Sequence, residues 1–84
     1  GEDTEGIIDH IRDVEGVEIA ILIRGTGAGA FKVSLRSKHY ADVGALAARM
    51  GGGGHKRAAG YSARGTMGEA ASGALRLAKE ALRA

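Results

Sequence analysis

Ile7, Ile8, Ile11 and Val14 recur three and four residues apart behind Thr4 and Glu5, and Gly16 follows the last of them. Apolar residues at that spacing share one helix face, so the pattern predicts a first helix that stops at Gly16. Glu18 to Arg24 is a short β-branched run, too brief for a helix, and reads as a central strand covered on both faces. Gly25-Thr26-Gly27-Ala28-Gly29 signals a turn. Beyond it Phe31, Val33 and Leu35 alternate with Lys32, Ser34 and Arg36. This period of two predicts a second strand, antiparallel to the first, with its apolar side chains in the core and Ser34 and Arg36 together on the opposite face.

Asp42 suits the N-cap of a short helix whose Val43, Leu46, Ala47 and Met50 form one stripe, and Gly51 stands where a left-handed C-cap residue belongs. Ala58 to Arg64 is small-sided and reads as a third strand. Thr66-Met67-Gly68-Glu69 matches a capping box and opens a last helix with Ala71, Leu75, Ala78 and Leu82 as its packing stripe. The predicted order is α-β-β-α-β-α. It describes an α+β fold: one small two-layer domain, residues 1–84, with a short mixed or antiparallel sheet packed by helices.

A chain of 84 residues buries only about 60–65% of the surface it exposes when unfolded, so its core is modest. Cysteine is absent, which removes disulfides and thiolate metal ligands and makes a cytoplasmic location the expectation. The apolar run Ile19–Ile23 is far short of the ~20 residues a membrane-spanning helix needs, so no membrane association is expected. Charge is unevenly distributed. Residues 1–18 carry seven acids and one base, whereas residues 19–68 carry eight bases and one acid, Asp42. A segment so poor in carboxylates accepts an anion without built-in repulsion. A solvated basic face would have the same composition.

The feature most in need of explanation is Gly51-Gly52-Gly53-Gly54-His55-Lys56-Arg57-Ala58-Ala59-Gly60. Four consecutive glycines give up more backbone freedom on ordering than any other tetrapeptide. A flexible linker or a purely steric turn would account for them. The chemical alternative is a nest, in which successive amides point into one concavity and accept phosphate oxygens. His55 then sits at the lip, with Lys56 and Arg57 on the rim. The run is neither a Walker A loop, lacking the Gly-Lys-Ser/Thr ending, nor a dinucleotide fingerprint, which follows a strand.

Gly52-Gly53-Gly54-His55 with Ala58-Ala59-Gly60, preceded by Val33-Ser34-Leu35-Arg36-Ser37 and Asp42-Val43, closely resembles the DHH-associated domain, type one. That domain is the C-terminal substrate-binding part of DHH-family phosphoesterases, among them oligoribonucleases, pAp phosphatases and cyclic-dinucleotide phosphodiesterases. The resemblance implies that a separate catalytic DHH domain of the parent chain supplies two Mn²⁺ ions, while this domain holds no cofactor or metal and no catalytic residue. It also implies a nucleotide, cyclic dinucleotide or short single-stranded oligonucleotide as ligand. Gly52, Gly53, Gly54 and His55 match the phosphate-binding loop and Arg36 the basic residue beside it; Ser34, Ser37, Lys56 and Arg57 are the further candidates around them. Alone, the domain is expected to bind without hydrolysing.

Asp9-His10 is no Asp-His-His motif, and His10 and His39 read as surface residues. Three scattered histidines make a poor zinc site. Tyr40 and Tyr61 suit either base stacking or packing. Two other functions compete. One is an autonomous single-strand binder with a Gly-x-x-Gly clamp like that of a KH domain, against which the Ala58-Ala59-Gly60 continuation argues. The other is a structural or dimerising module, which would leave the basic face without a ligand.

Overall fold

In a computed structural model, residues 6–13 and 16–83 are described, with side chains from Glu18 to Leu82. The β-branched run behind Gly16 becomes a twelve-residue strand, β2 (Gly16–Gly27). Its Ile19, Ile21 and Ile23 are at most 1% exposed, whereas Leu22 between them is 38% exposed. The strand is therefore covered on one face and open on the other. The alternating segment forms β3 (Ala30–Ser37), antiparallel to β2 as the pattern predicts, with Val33 and Leu35 buried and Arg36 exposed.

The first element is a strand, β1 (Gly6–Asp13), and not the predicted helix; Thr4, Glu5 and Val14 of that prediction lie outside the described residues. It pairs antiparallel with β2 from Gly6↔Arg24 to Asp13↔Gly16. Isoleucine favours strands because its branched Cβ restricts χ1 in a helix. A neighbouring strand that satisfies the backbone along its whole length outweighs a four-residue helical spacing.

Helix α1 (Val43–Arg49) starts as expected, the Asp42 carboxylate accepting from the Ala45 amide at 3.0 Å. A three-residue strand β4 (Gly53–His55) follows and turns through Lys56-Arg57 into β5 (Ala58–Arg64). Helix α2 (Met67–Arg83) opens on a complete capping box: the Thr66 amide donates to Glu69 Oε1 at 2.9 Å and the Glu69 amide to Thr66 Oγ1 at 3.1 Å. Its buried line is Ala70, Ala74, Leu77 and Ala78, with Leu75 and Leu82 only partly covered. The stripe is thus turned slightly from the predicted one.

The sheet has five strands in the order β1-β2-β3-β5-β4, all antiparallel. Both helices pack on one face, against Ile19, Ile21, Ile23, Val33, Leu35 and Tyr61. The predicted α+β class and two-layer build are what forms, in the order β-β-β-α-β-β-α.

One polar group is buried with this core. Pairing with β1 steps from Ile11↔Ile19 to Arg12↔Val17, so Glu18 is the extra residue of a β-bulge, a device that re-aims a side chain. Its carboxylate accepts from the amides of His39 (3.0 Å), Tyr40 (2.7 Å) and Ala41 (2.8 Å). Burial alone would raise its pKa, but the Ala41, Tyr40 and His39 amides and the His39 ring outweigh that, and the group titrates below its ordinary value of 4.5.

A depressed folded pKa means that the stabilisation is complete above the ordinary value and is lost as pH falls through the folded one. Glu18→Gln is expected to cost about 2–3 kcal/mol in urea denaturation at pH 7 and to flatten the acid limb of the stability profile. An unchanged acid limb would assign that limb to other groups.

Candidate functional site

Antiparallel partners project their side chains to the same side of a sheet, so the register alone sorts the candidates. Ala20 pairs with Arg36, Arg36 with Ala58, and Ala58 with His55. These four form one row across β2, β3, β5 and β4 on the face away from the helices. With strands ~4.8 Å apart, the Cα atoms of Arg36 and His55 stand roughly 10 Å from each other. Beside that row lies a second, Leu22, Ser34, Gly60 and Gly53. Arg36, His55, Ser34 and Gly53, singled out from the sequence, therefore share one open face. Arg36 and His55 are exposed, and no described residue engages either side chain.

The four glycines differ in what holds them. Gly51 has φ +85 and Gly54 φ +146, which side-chain-bearing residues avoid. The Gly51 amide donates to Ala48 O at 3.1 Å and the Gly52 amide to Ala47 O at 2.9 Å, a Schellman ending for α1. These two amides are spent within the chain, so a nest of four successive free amides does not form. A Cβ on Gly52 would collide with the Gly60 carbonyl and lie 2.7 Å from Tyr61 Cβ. Gly53 is different. Its φ is ordinary and a Cβ there would meet nothing within 4 Å. The run, read from sequence as a loop, is a helix end followed by an edge strand. An edge strand leaves half of its backbone polar groups without a ladder partner.

Ser37, Lys56 and Arg57 form the border. Ser37 Oγ donates to Ala41 O at 2.6 Å, and Arg57 Nη1 donates to the same carbonyl at 2.8 Å. The Val43 amide donates to Lys56 O at 2.9 Å and the Ser37 amide to Arg57 O at 3.0 Å. Ser37 and Arg57 thus tie the β4–β5 turn to the loop that Glu18 holds, while the Lys56 side chain projects into solvent.

Among the remaining candidates, Tyr61 is 3% exposed and belongs to the core, where burial pushes its phenol pKa up. Tyr40 is half exposed. The His39 ring lies 3.3 Å from Glu18 Oε1. Asp9 and His10 fall in β1, where only the backbone is described. Among the described residues no three of His, Cys, Asp and Glu converge as metal ligands, and no helix is long and apolar enough to cross a membrane. Sequence reasoning passed over Lys32, which belongs to the same alternation as Ser34 and Arg36, and Gly44, whose Cβ would lie 2.9 Å from the His55 carbonyl. The alternation already contained the first; the second depends on how α1 seats against β4.

Fold and site together define a small α+β domain with helices on one face of its sheet and an open, glycine-floored cationic face on the other. The chain belongs to the DHHA1 domain family, which matches it over residues 1–84. It is 38% identical over 64 residues to the bifunctional oligoribonuclease and PAP phosphatase NrnA of Thermus thermophilus, an alignment covering 76% of this chain and 19% of that protein. The chain therefore spans about a fifth of the length of this curated relative.

Two alanine substitutions separate the steric glycines from the bare one. Gly52→Ala is expected to lose about 1–3 kcal/mol through forced backbone shifts, and Gly53→Ala to change stability by less than about 1 kcal/mol. Thermal denaturation of both proteins measures this, and equal losses would refute the distinction.

Proposed function

We propose that this chain is the substrate-binding domain of a DHH-family phosphoesterase and that its open sheet face holds a phosphate of a nucleotide or short single-stranded oligonucleotide. In this reading residues 1–84 are one domain, and the catalytic DHH domain of the parent chain supplies two Mn²⁺ ions and the hydrolytic chemistry. Arg36 grips the phosphate through two parallel N–H bonds. His55 donates from the far end of the row, Gly53 admits the ligand to the backbone, the left-handed angle of Gly54 sets the course of the chain between them, and Ser34 lines the floor. Lys56 adds charge at the rim, and Ser37 and Arg57 position the turn. The oligoribonuclease and PAP phosphatase named for the Thermus relative makes pAp and short RNA the first ligands to try.

The observation that carries this reading is the Arg36–Ala58–His55 row beside Gly53, a glycine that neither backbone angle nor packing explains. Open space above a glycine, beside a guanidinium and an imidazole that no described residue engages, suits an approaching anion. A KH-type clamp fits less well, since the glycines run into a hairpin and not into a helix.

Arg36→Gln is expected to weaken binding of pAp by about tenfold or more, and to lower the salt slope by roughly one phosphate contact, with the fold unchanged by circular dichroism. Calorimetric titration at two salt concentrations measures both. Affinity equal to that of the unsubstituted protein would sink the proposal. Incubated with Mn²⁺ and pAp or a dinucleotide, the chain should release no product; sustained turnover would place the chemistry in this domain after all.

A further inference from the structure

The open face continues past the Arg36 row, and its far end carries charge that the proposed phosphate grip does not use. Arg24 on β2 pairs directly with Lys32 on β3. Like charges opposite one another on neighbouring strands are destabilising. No acidic residue occupies this face from Ala20 to Arg24, from Lys32 to Arg36, from Ala58 to Arg64 or from Gly53 to His55. Neither Arg24 nor Lys32 is paired with a carboxylate of the described residues. The one buried acid of β2, Glu18, is satisfied by the amides of residues 39–41.

The Lys32 side chain is also directed. Its Cε lies 3.5 Å from where a Cβ on Gly60 would be. The stem therefore crosses the small-residue floor towards the second row and leans in the direction of Arg36. Between the two cationic positions Leu22 is 38% exposed, an apolar surface on the same face, opposite Ser34. Lys32 and Arg36 are four residues apart on one strand, roughly 14 Å, a span wide enough for more than one phosphate. Cations spaced along a shallow groove, with an apolar side chain between them, suit the backbone and one base of an extended single strand.

We propose that Arg24 and Lys32 form a second phosphate subsite, so that this face takes a single-stranded oligonucleotide running along β3 and not a mononucleotide alone. The inference rests on the reading of Arg36 as the first phosphate grip and names the substrate class for that same site.

Fluorescence anisotropy with pAp and with 5′-phosphorylated RNA of two and four nucleotides tests it in the unsubstituted protein, in the double variant R24Q/K32Q, and in Arg36→Gln. The unsubstituted protein is expected to bind the tetranucleotide about tenfold or more tighter than the dinucleotide. In R24Q/K32Q that gain should fall to within about twofold, with pAp binding changed by less than about threefold. If Arg36→Gln weakens every ligand while affinity is flat with length, or if the length gain survives in R24Q/K32Q, the second subsite is refuted and the phosphate grip stands. If Arg36→Gln weakens none of them, both readings fall.

Discussion

Glu18 fixes the geometry on which the candidate site depends. A carboxylate at 2% exposure is costly unless its lone pairs are met, and here three consecutive amides meet them. That requirement holds residues 39–41 in one conformation. The same loop presents the Ala41 carbonyl to Ser37 Oγ and to the Arg57 guanidinium. Through those contacts, and through the Lys56 and Arg57 carbonyls, the β4–β5 turn is held against the end of β3. The register that lines Arg36 up with Ala58 and His55 is thereby constrained at both ends: by the ladder with β3, and by a bulge on β2 that lies outside that ladder. A bulge is usually read as a local defect of pairing, yet this one delivers the anchor for the turn beside the candidate site.

The glycines act in the same direction by different physics. Antiparallel sheets tolerate one solvated face, but most such faces are crowded by long polar side chains. Along the Arg36 row and the row beside it, Ala20, Ala58, Gly53 and Gly60 keep the surface low on either side of Arg36. Gly60 has a steric reason as well, since its Cβ would lie 2.9 Å from the Val33 carbonyl. Glycine in strands is entropically costly, and here the cost is spread over positions with distinct requirements: a helix ending at Gly51, a close crossing at Gly52, a left-handed angle at Gly54. Of the four glycines from Gly51 to Gly54, Gly53 alone lacks such an internal reason.

Much of this was legible in the residues. The alternation from Phe31 to Arg36, the Asp42 cap, the Gly51 ending and the Thr66–Glu69 box are local devices, and local devices survive into the fold unchanged. What misled was non-local. Ile7, Ile8 and Ile11 satisfy a helical spacing, but a twelve-residue partner strand two residues away decides their conformation. The glycine run reads as a loop because nothing in it announces that β5 lies alongside to make Gly53–His55 an edge strand. The amide nest failed for a related reason: the left-handed ending correctly expected at Gly51 uses the Gly51 and Gly52 amides that a nest would have needed. Arg57 likewise reads as a free cation until the Ala41 carbonyl is placed beside it.

An open cationic face has a further consequence for how such a domain would work. Among the described residues its charges have no internal carboxylates to neutralise them, so their mutual repulsion is part of the folded state's free energy and any bound polyanion relieves it. Binding energy drawn from that relief is electrostatic and long-ranged, and it falls with salt. It attracts an anion without selecting among bases, which leaves selection to shape and to whatever surface faces this one. In the proposed reading, a sheet with helices on one face and an open cationic face on the other is one wall of a cleft. The division proposed for the parent chain matches that asymmetry: under it, the wall that carries the cations would orient the phosphates, and a facing wall would bring the groups that act on them.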